Sequence, residues 1–219
     1  MSDMNMELNE EALPEIDESE LVFGAKMAPV PEGTYAIKAT LGKNGLKYDS
    51  AKKAYTIHAL NVVIKPLLKT IVNPFAPGTV IDEKKVFFNP DGSGKQIHDF
   101  FRISPTNEPG IRKAMQFLRY AGDPDYNKYK SYDALAHAVE DALTQGPDTL
   151  KLSGRWAASA EVGTDPDTGR KKYESVRGAR KFPKKNDGSI NHVVEIDGEF
   201  VAAQFEVVEY GELSAKDVA

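Results

Sequence analysis

Apolar residues along this chain alternate at period two, switch once to a helical period in a single block, and then return to alternation. Thr34 to Leu41 (TYAIKATL) puts Tyr35, Ile37, Ala39 and Leu41 on one side, the pattern of a half-buried strand. Ala54 to Ile64 (AYTIHALNVVI) is β-branched and apolar and reads as its hairpin partner across the polar stretch KNGLKYDSAKK. Leu21 to Val30 reads as a short strand or strap, and Lys65 to Pro77 as a loop or strand extension. Thr79 to Phe88 reads as an added strand and Gln96 to Ile103 (QIHDFFRI) as another.

The helical block follows. Glu108 to Tyr120 sets Ile111, Ala114, Met115 and Leu118 on one face, with Asn107 as N-cap, Pro109 in the first turn and Gly122 as the stop. Ser131 to Thr144 carries the stripe Leu135, Ala138, Val139 and Ala142, capped by Ser131 and ended by Gly146-Pro147. Strands resume at Thr149 to Val162, Lys171 to Phe182 and Phe200 to Val208. Helices confined to one block exclude an alternating α/β fold. The expected class is mainly β: a β-barrel of OB-fold type, with its helical insertion between the third and fourth core strands. The expected organisation is an acidic disordered tail over 1–20, one domain over 21–210 with helices near 108–121 and 131–145, and a C-terminal tail over 211–219.

Charge is segregated along the chain. Residues 1–20 hold eight acids and no Lys or Arg, while the rest holds all 28 bases and the other 25 of the 33 acids. The N-terminal tail reads as a solvated solubility segment, or as a mimic of nucleic acid that competes for a basic surface. Between Arg170 and Lys185 the chain reads RKKYESVRGARKFPKK, eight bases against the single acid Glu174. Cations meet phosphates and aromatic faces stack on bases, so this stretch is a candidate nucleic-acid surface. In a strand, Lys171, Tyr173, Arg177 and Lys181 share one face, and Lys172, Arg180 and Phe182 the other. The plainer reading is an edge strand whose lysines block aggregation. Lys184 extends the charge into the following loop. In the preceding strand, Arg155 and the only tryptophan, Trp156, are candidates for a phosphate contact and a stacking face.

Other motifs carry less. Gly92-Ser93-Gly94-Lys95 lacks the remainder of a phosphate loop and reads as a turn. His58, His98, His137 and His192 stand isolated in sequence and read as structural. No paired-carboxylate or Ser/His/Asp pattern stands out, so no catalytic residue, metal or cofactor is expected. With no cysteine there is no disulfide and no thiolate ligand. No apolar run reaches the ~20 residues of a membrane helix, and the N-terminus lacks the basic and apolar regions of a signal peptide.

Three segments, PEGTYAIKAT, GKQIHDFFRIS and LSGRWAASAEVGTDPDTGRKKYESVRGARKFP, resemble a group of bacteriophage-encoded OB-type single-stranded DNA-binding proteins, over roughly residues 31–185. The resemblance implies a non-catalytic protein that coats or hands over single strands in replication, recombination or repair. It implies single-stranded DNA as the partner, with replication or recombination proteins or further copies of the chain beside it, no membrane contact, and the host cytoplasm as location. Nucleic-acid contacts are expected from Arg155, Trp156, Lys171, Lys172, Tyr173, Arg177, Arg180, Lys181 and Lys184. The alternative expectation is a virion, assembly or other protein-interaction β-domain that binds no nucleic acid.

Overall fold

A computed structural model of the chain describes residues 30–72, 82–148, 150–164, 171–176, 179–181, 193–196 and 198–218. Its strands are β1 (Gly33–Asp49), β2 (Ala54–Pro66), β3 (Gln96–Ile103), β4 (Leu150–Thr164), β5 (Lys171–Val176), β6 (Ala179–Lys181), β7 (Val193–Ile196) and β8 (Glu199–Glu212). Its helices are α1 (Glu83–Phe87), α2 (Glu108–Tyr120), α3 (Tyr132–Gln145) and α4 (Ala215–Val218). The strands form a β-rich antiparallel sheet in the order β3–β2–β1–β4–β8–β7–β6, and β5 pairs with the far part of β4.

Alternation builds the core. In β3, Ile97, Asp99, Phe101 and Ile103 point inward, while Gln96, His98, Phe100 and Arg102 point outward. Tyr35, Ile37 and Ala39 of β1, Ile57, Ala59 and Val63 of β2, and Leu150 and Leu152 of β4 join the same buried cluster. Helix α2 packs on β3 and β8, and α3 on β1 and β2. The α2 face that packs inward is centred on Ala114, Phe117 and Leu118, with Ile111 and Met115 half-buried at its margin. In α3 the buried residues are Leu135, Ala136, Val139 and Leu143. The expected caps are present: Asn107 accepts the N–H of Gly110, Ser131 accepts that of Ala134, and Gly146 closes α3 at φ 70°. A left-handed C-terminal residue favours glycine, which has no Cβ to clash.

Several expectations change. β1 continues through all of KNGLKYD, with a register shift between Leu41 and Leu46, so the turn shrinks to 50–53. Residues 83–87, expected within a strand, form the short helix α1, because Asp82 accepts the N–H of Lys84 through its side chain and that of Val86 through its carbonyl. The turn buries Val86 and Phe87 completely. Within the expected strand Lys171 to Phe182, the described pieces have different partners: Lys171–Val176 (β5) pairs with β4, and Ala179–Lys181 (β6) pairs with β7, a strand absent from the sequence reading. The last strand runs on to Glu212, beyond the expected start of the C-terminal tail. Past it, Asp217 accepts the N–H and Oγ–H of Ser214 and the ammonium of Lys151 at 3.2 Å, which together hold its carboxyl down to about 2.

The segments 1–29, 165–170 and 182–192 lie outside the described residues, and with them the acidic tail and part of the basic stretch. No helix among the described residues is long and apolar enough to cross a membrane.

Candidate nucleic-acid interface

Among the described residues, each of β3 and β8 has an edge left without a backbone partner. β3 pairs only with β2, and Ala203 to Val208 of β8 have a backbone partner only in β4, among the described residues. The two strands run in the same direction and meet through side chains rather than a hydrogen-bond ladder. No barrel closure by backbone pairing is seen there. Between them lies a groove of about 1200 Å³ whose wall is completed by the start of α2.

Under the groove a polar network bridges the seam. Tyr210 of β8 donates to Asp99 Oδ2 of β3 at 2.9 Å, and Lys113 of α2 donates to Asp99 Oδ1 at 2.6 Å. Asn61 of β2 donates to the Tyr210 hydroxyl and to the Ile97 carbonyl, each at 3.2 Å. Burial, then the negative Asp99, pushes the Tyr210 hydroxyl far above its ordinary range, so it stays a donor. Phe101, Phe117 and Tyr210 pack ring on ring beside this network.

Two sequence candidates face the groove. Arg155 lines it, and its Nε donates to Glu206 of β8 at 3.3 Å, so much of its charge is balanced. Trp156 is half-buried. Its indole N–H donates to the Val30 carbonyl at 2.8 Å, its backbone N–H donates to Glu32 at 2.9 Å, and its ring meets Phe205 edge-on at 5.8 Å. Lys171, Lys172 and Tyr173 lie on β5, at the end of β4 remote from β1, and Arg180 and Lys181 lie on β6. The two pieces of the basic stretch pair with different strands, β5 with β4 and β6 with β7. Arg177 and Lys184 lie outside the described residues.

The groove also collects residues the sequence reading passed over: Lys95, His98, Phe100 and Arg102. Burial lowers the Lys95 ammonium, a sign that its charge is poorly hydrated there. Arg102 has no ion pair among the described residues, and its carbonyl accepts the Asn107 side chain at 2.7 Å, which ties the end of β3 to the cap of α2. Phe100 is 45% exposed, unusual for a phenylalanine in the middle of a strand. The signal was present in QIHDFFRI: strict alternation puts Gln96, His98, Phe100 and Arg102 on one face.

His58 and His98 are not isolated in space, and His192 lies outside the described residues. Register places His58 of β2 opposite Phe100 of β3 and two pairs away from His98, on the same face. His58 Nε2 and His98 Nδ1 lie 2.9 Å apart, and the rings of His58, His98 and Phe100 are nearly parallel. The lysines of the β1–β2 end, Lys47, Lys52 and Lys53, do not line the groove, and Tyr48 and Tyr55 pair there with each other at 4.6 Å. Residues Asn89–Lys95 form a turn, with Ser93 bonded back to Asp91. No cluster of three or more metal-ligating side chains occurs among the described residues. No family model, no curated protein and no solved structure matches this chain.

Proposed function

We propose that the chain binds single-stranded DNA, largely without regard to sequence, and acts as a non-catalytic protein that coats or hands over single strands. The observation that carries this reading is the groove itself. It gathers Arg155 and Trp156 with Lys95, Arg102 and the exposed Phe100 along one seam. Positive groups that track a backbone, interleaved with aromatic faces, are what sequence-tolerant strand binding requires.

Connectivity supports the same reading. Three antiparallel strands, a helical block, a fourth strand returning to β1 and a last strand on β4 follow the order of an OB-type barrel, here opened at the β3–β8 seam. Such barrels bind oligonucleotides on the outer face of their second and third strands and on the adjoining loops. In this chain that face carries Phe100, His98 and Arg102, and the basic stretch 170–185 falls in the connection between β4 and β8. The resemblance to phage strand-binding proteins adds a phage replication or recombination setting to the proposal.

Anisotropy of fluorescent oligo-dT at two salt concentrations tests it. Binding is expected to weaken with salt, and Arg102→Ala is expected to weaken it further and shrink the log–log salt slope by about 0.7, one single-strand phosphate contact. Salt-indifferent affinity, or preference for duplex, overturns the proposal. A second reading has its own observation: the open edges of β3 and β8 can accept an extended peptide by strand addition. Assembly into rings or particles without nucleic acid, together with no oligonucleotide binding, would favour that protein-interaction role.

A further inference from the structure

The face of β3 that borders the groove holds one arrangement that phosphate binding alone does not explain. His58 is 7% exposed although it is polar, and Gly42 of β1 lies directly on its ring: a Cβ there would come within 2.2 Å of His58 Nδ1. On the same ring stack Phe100, at 4.8 Å and 14°, and His98, at 5.2 Å and 11°. His58 Nδ1 is enclosed and makes no hydrogen bond.

That orphaned atom decides the tautomers. A proton on Nδ1 would be a buried donor without an acceptor, the costlier kind of orphan. The His58 proton therefore sits on Nε2 and is donated to His98 Nδ1, leaving the His98 proton on its own Nε2. A further proton has only two places to go: into the 2.9 Å contact between the rings, or onto the enclosed Nδ1. Burial, and then the neighbouring His98, lower the His58 pKa, whereas Asp99 acts the other way. Gly42 brings no charge from β1. His58 is thus built to remain neutral at neutral pH.

We propose that Phe100, backed by the His58–His98 pair, is a stacking platform for one unpaired nucleobase, and that it holds only while both imidazoles are neutral. This rests on the strand-binding reading of the groove. The flat, uncharged platform serves the base, and Arg102 beside it serves the phosphate. Acidification parts the two rings and removes the support behind Phe100, so base-dependent affinity falls even as general attraction to phosphate rises.

The test compares oligo-dT with an abasic oligonucleotide of equal length, which keeps the phosphates and lacks the bases. At about pH 8 the full chain is expected to favour oligo-dT by about tenfold, a typical contribution of one stacked base. Phe100→Ala should bring that ratio near one with the salt slope unchanged, and Phe100→Trp should retain it. In the unsubstituted chain the ratio should hold at about pH 6.5, the ordinary histidine value, and collapse on the acid side of it, because burial lowers the His58 pKa. Equal binding of the two oligonucleotides by the unsubstituted chain, or a ratio that survives Phe100→Ala or acidification, overturns the platform while the strand-binding reading stands. Absence of any oligonucleotide binding overturns both. Nitrogen-15 spectra of the free protein read the tautomers directly: a bare His58 Nδ1 and a protonated Nε2 are expected, and a protonated Nδ1 at about pH 8 defeats the proton-gated half.

Discussion

Asp99 shows how one residue serves both the core and the groove. It sits at an inward position of β3, where its neighbours in alternation are Ile97 and Phe101, and it is 7% exposed. A lone buried carboxylate would be expensive, so its oxygens take donors from α2 and β8. Asp99→Ala would leave the Lys113 ammonium without its partner and the Tyr210 hydroxyl without its nearest acceptor. The expected loss is about 3 kcal/mol, reduced if Lys113 swings into the groove, and urea unfolding measures it. A loss under about 0.5 kcal/mol would show that the network contributes little to stability. Half of this was legible: alternation in QIHDFFRI places Asp99 on the inward side. Its partners were not, because Tyr210 is 111 residues away and nothing local to either residue specifies the pairing.

Elements were legible where local chemistry decides them. Caps, turn glycines and amphipathic stripes act over three or four residues, and both main helices begin and end close to where Asn107, Ser131, Gly122 and Gly146 predict. Asn107 does more than cap. Its Oδ1 accepts the Gly110 N–H at 3.3 Å while its Nδ2 donates to the Arg102 carbonyl at 2.7 Å, so one side chain fixes α2 against the end of β3. Asn107→Ala should destabilise by about 1–2 kcal/mol, the upper range for a lost N-cap, read as a lowered thermal midpoint. Asn107→Asp keeps the cap and removes the donor to Arg102, so an intermediate loss is expected. Equality with the unsubstituted chain in both variants would refute the double role. Strand ends were harder to read. Val86 and Phe87 look like strand residues by composition, but a turn capped by Asp82 buries them as well as a strand would. Ala179–Lys181 pairs with β7, a strand that local composition did not mark.

At the scale of the whole molecule, the open seam between β3 and β8 matters most. Two edge strands that line a groove expose backbone groups that a ligand or a peptide can use. Hydrogen exchange with and without oligo-dT locates the ligand. Amides of Gln96–Ile103 and of Ala203 to Val208 are expected to slow when the strand binds, while those of α3, which packs on β1 and β2 and does not line the groove, keep their rates. Slowing spread uniformly over the chain would instead indicate general stabilisation by mass action rather than occupation of the seam. By itself the sequence determined the β-rich class, the single helical block, its caps, and the alternation that turns His98, Phe100 and Arg102 outward, because all of these follow from contacts a few residues apart. Only the tertiary structure decided that β3 and β8 face one another across a groove, that His58 meets His98 and Phe100, and that Arg155 is matched by Glu206. Those outcomes depend on strand register and sheet curvature, and both are set by packing among residues far apart along the chain.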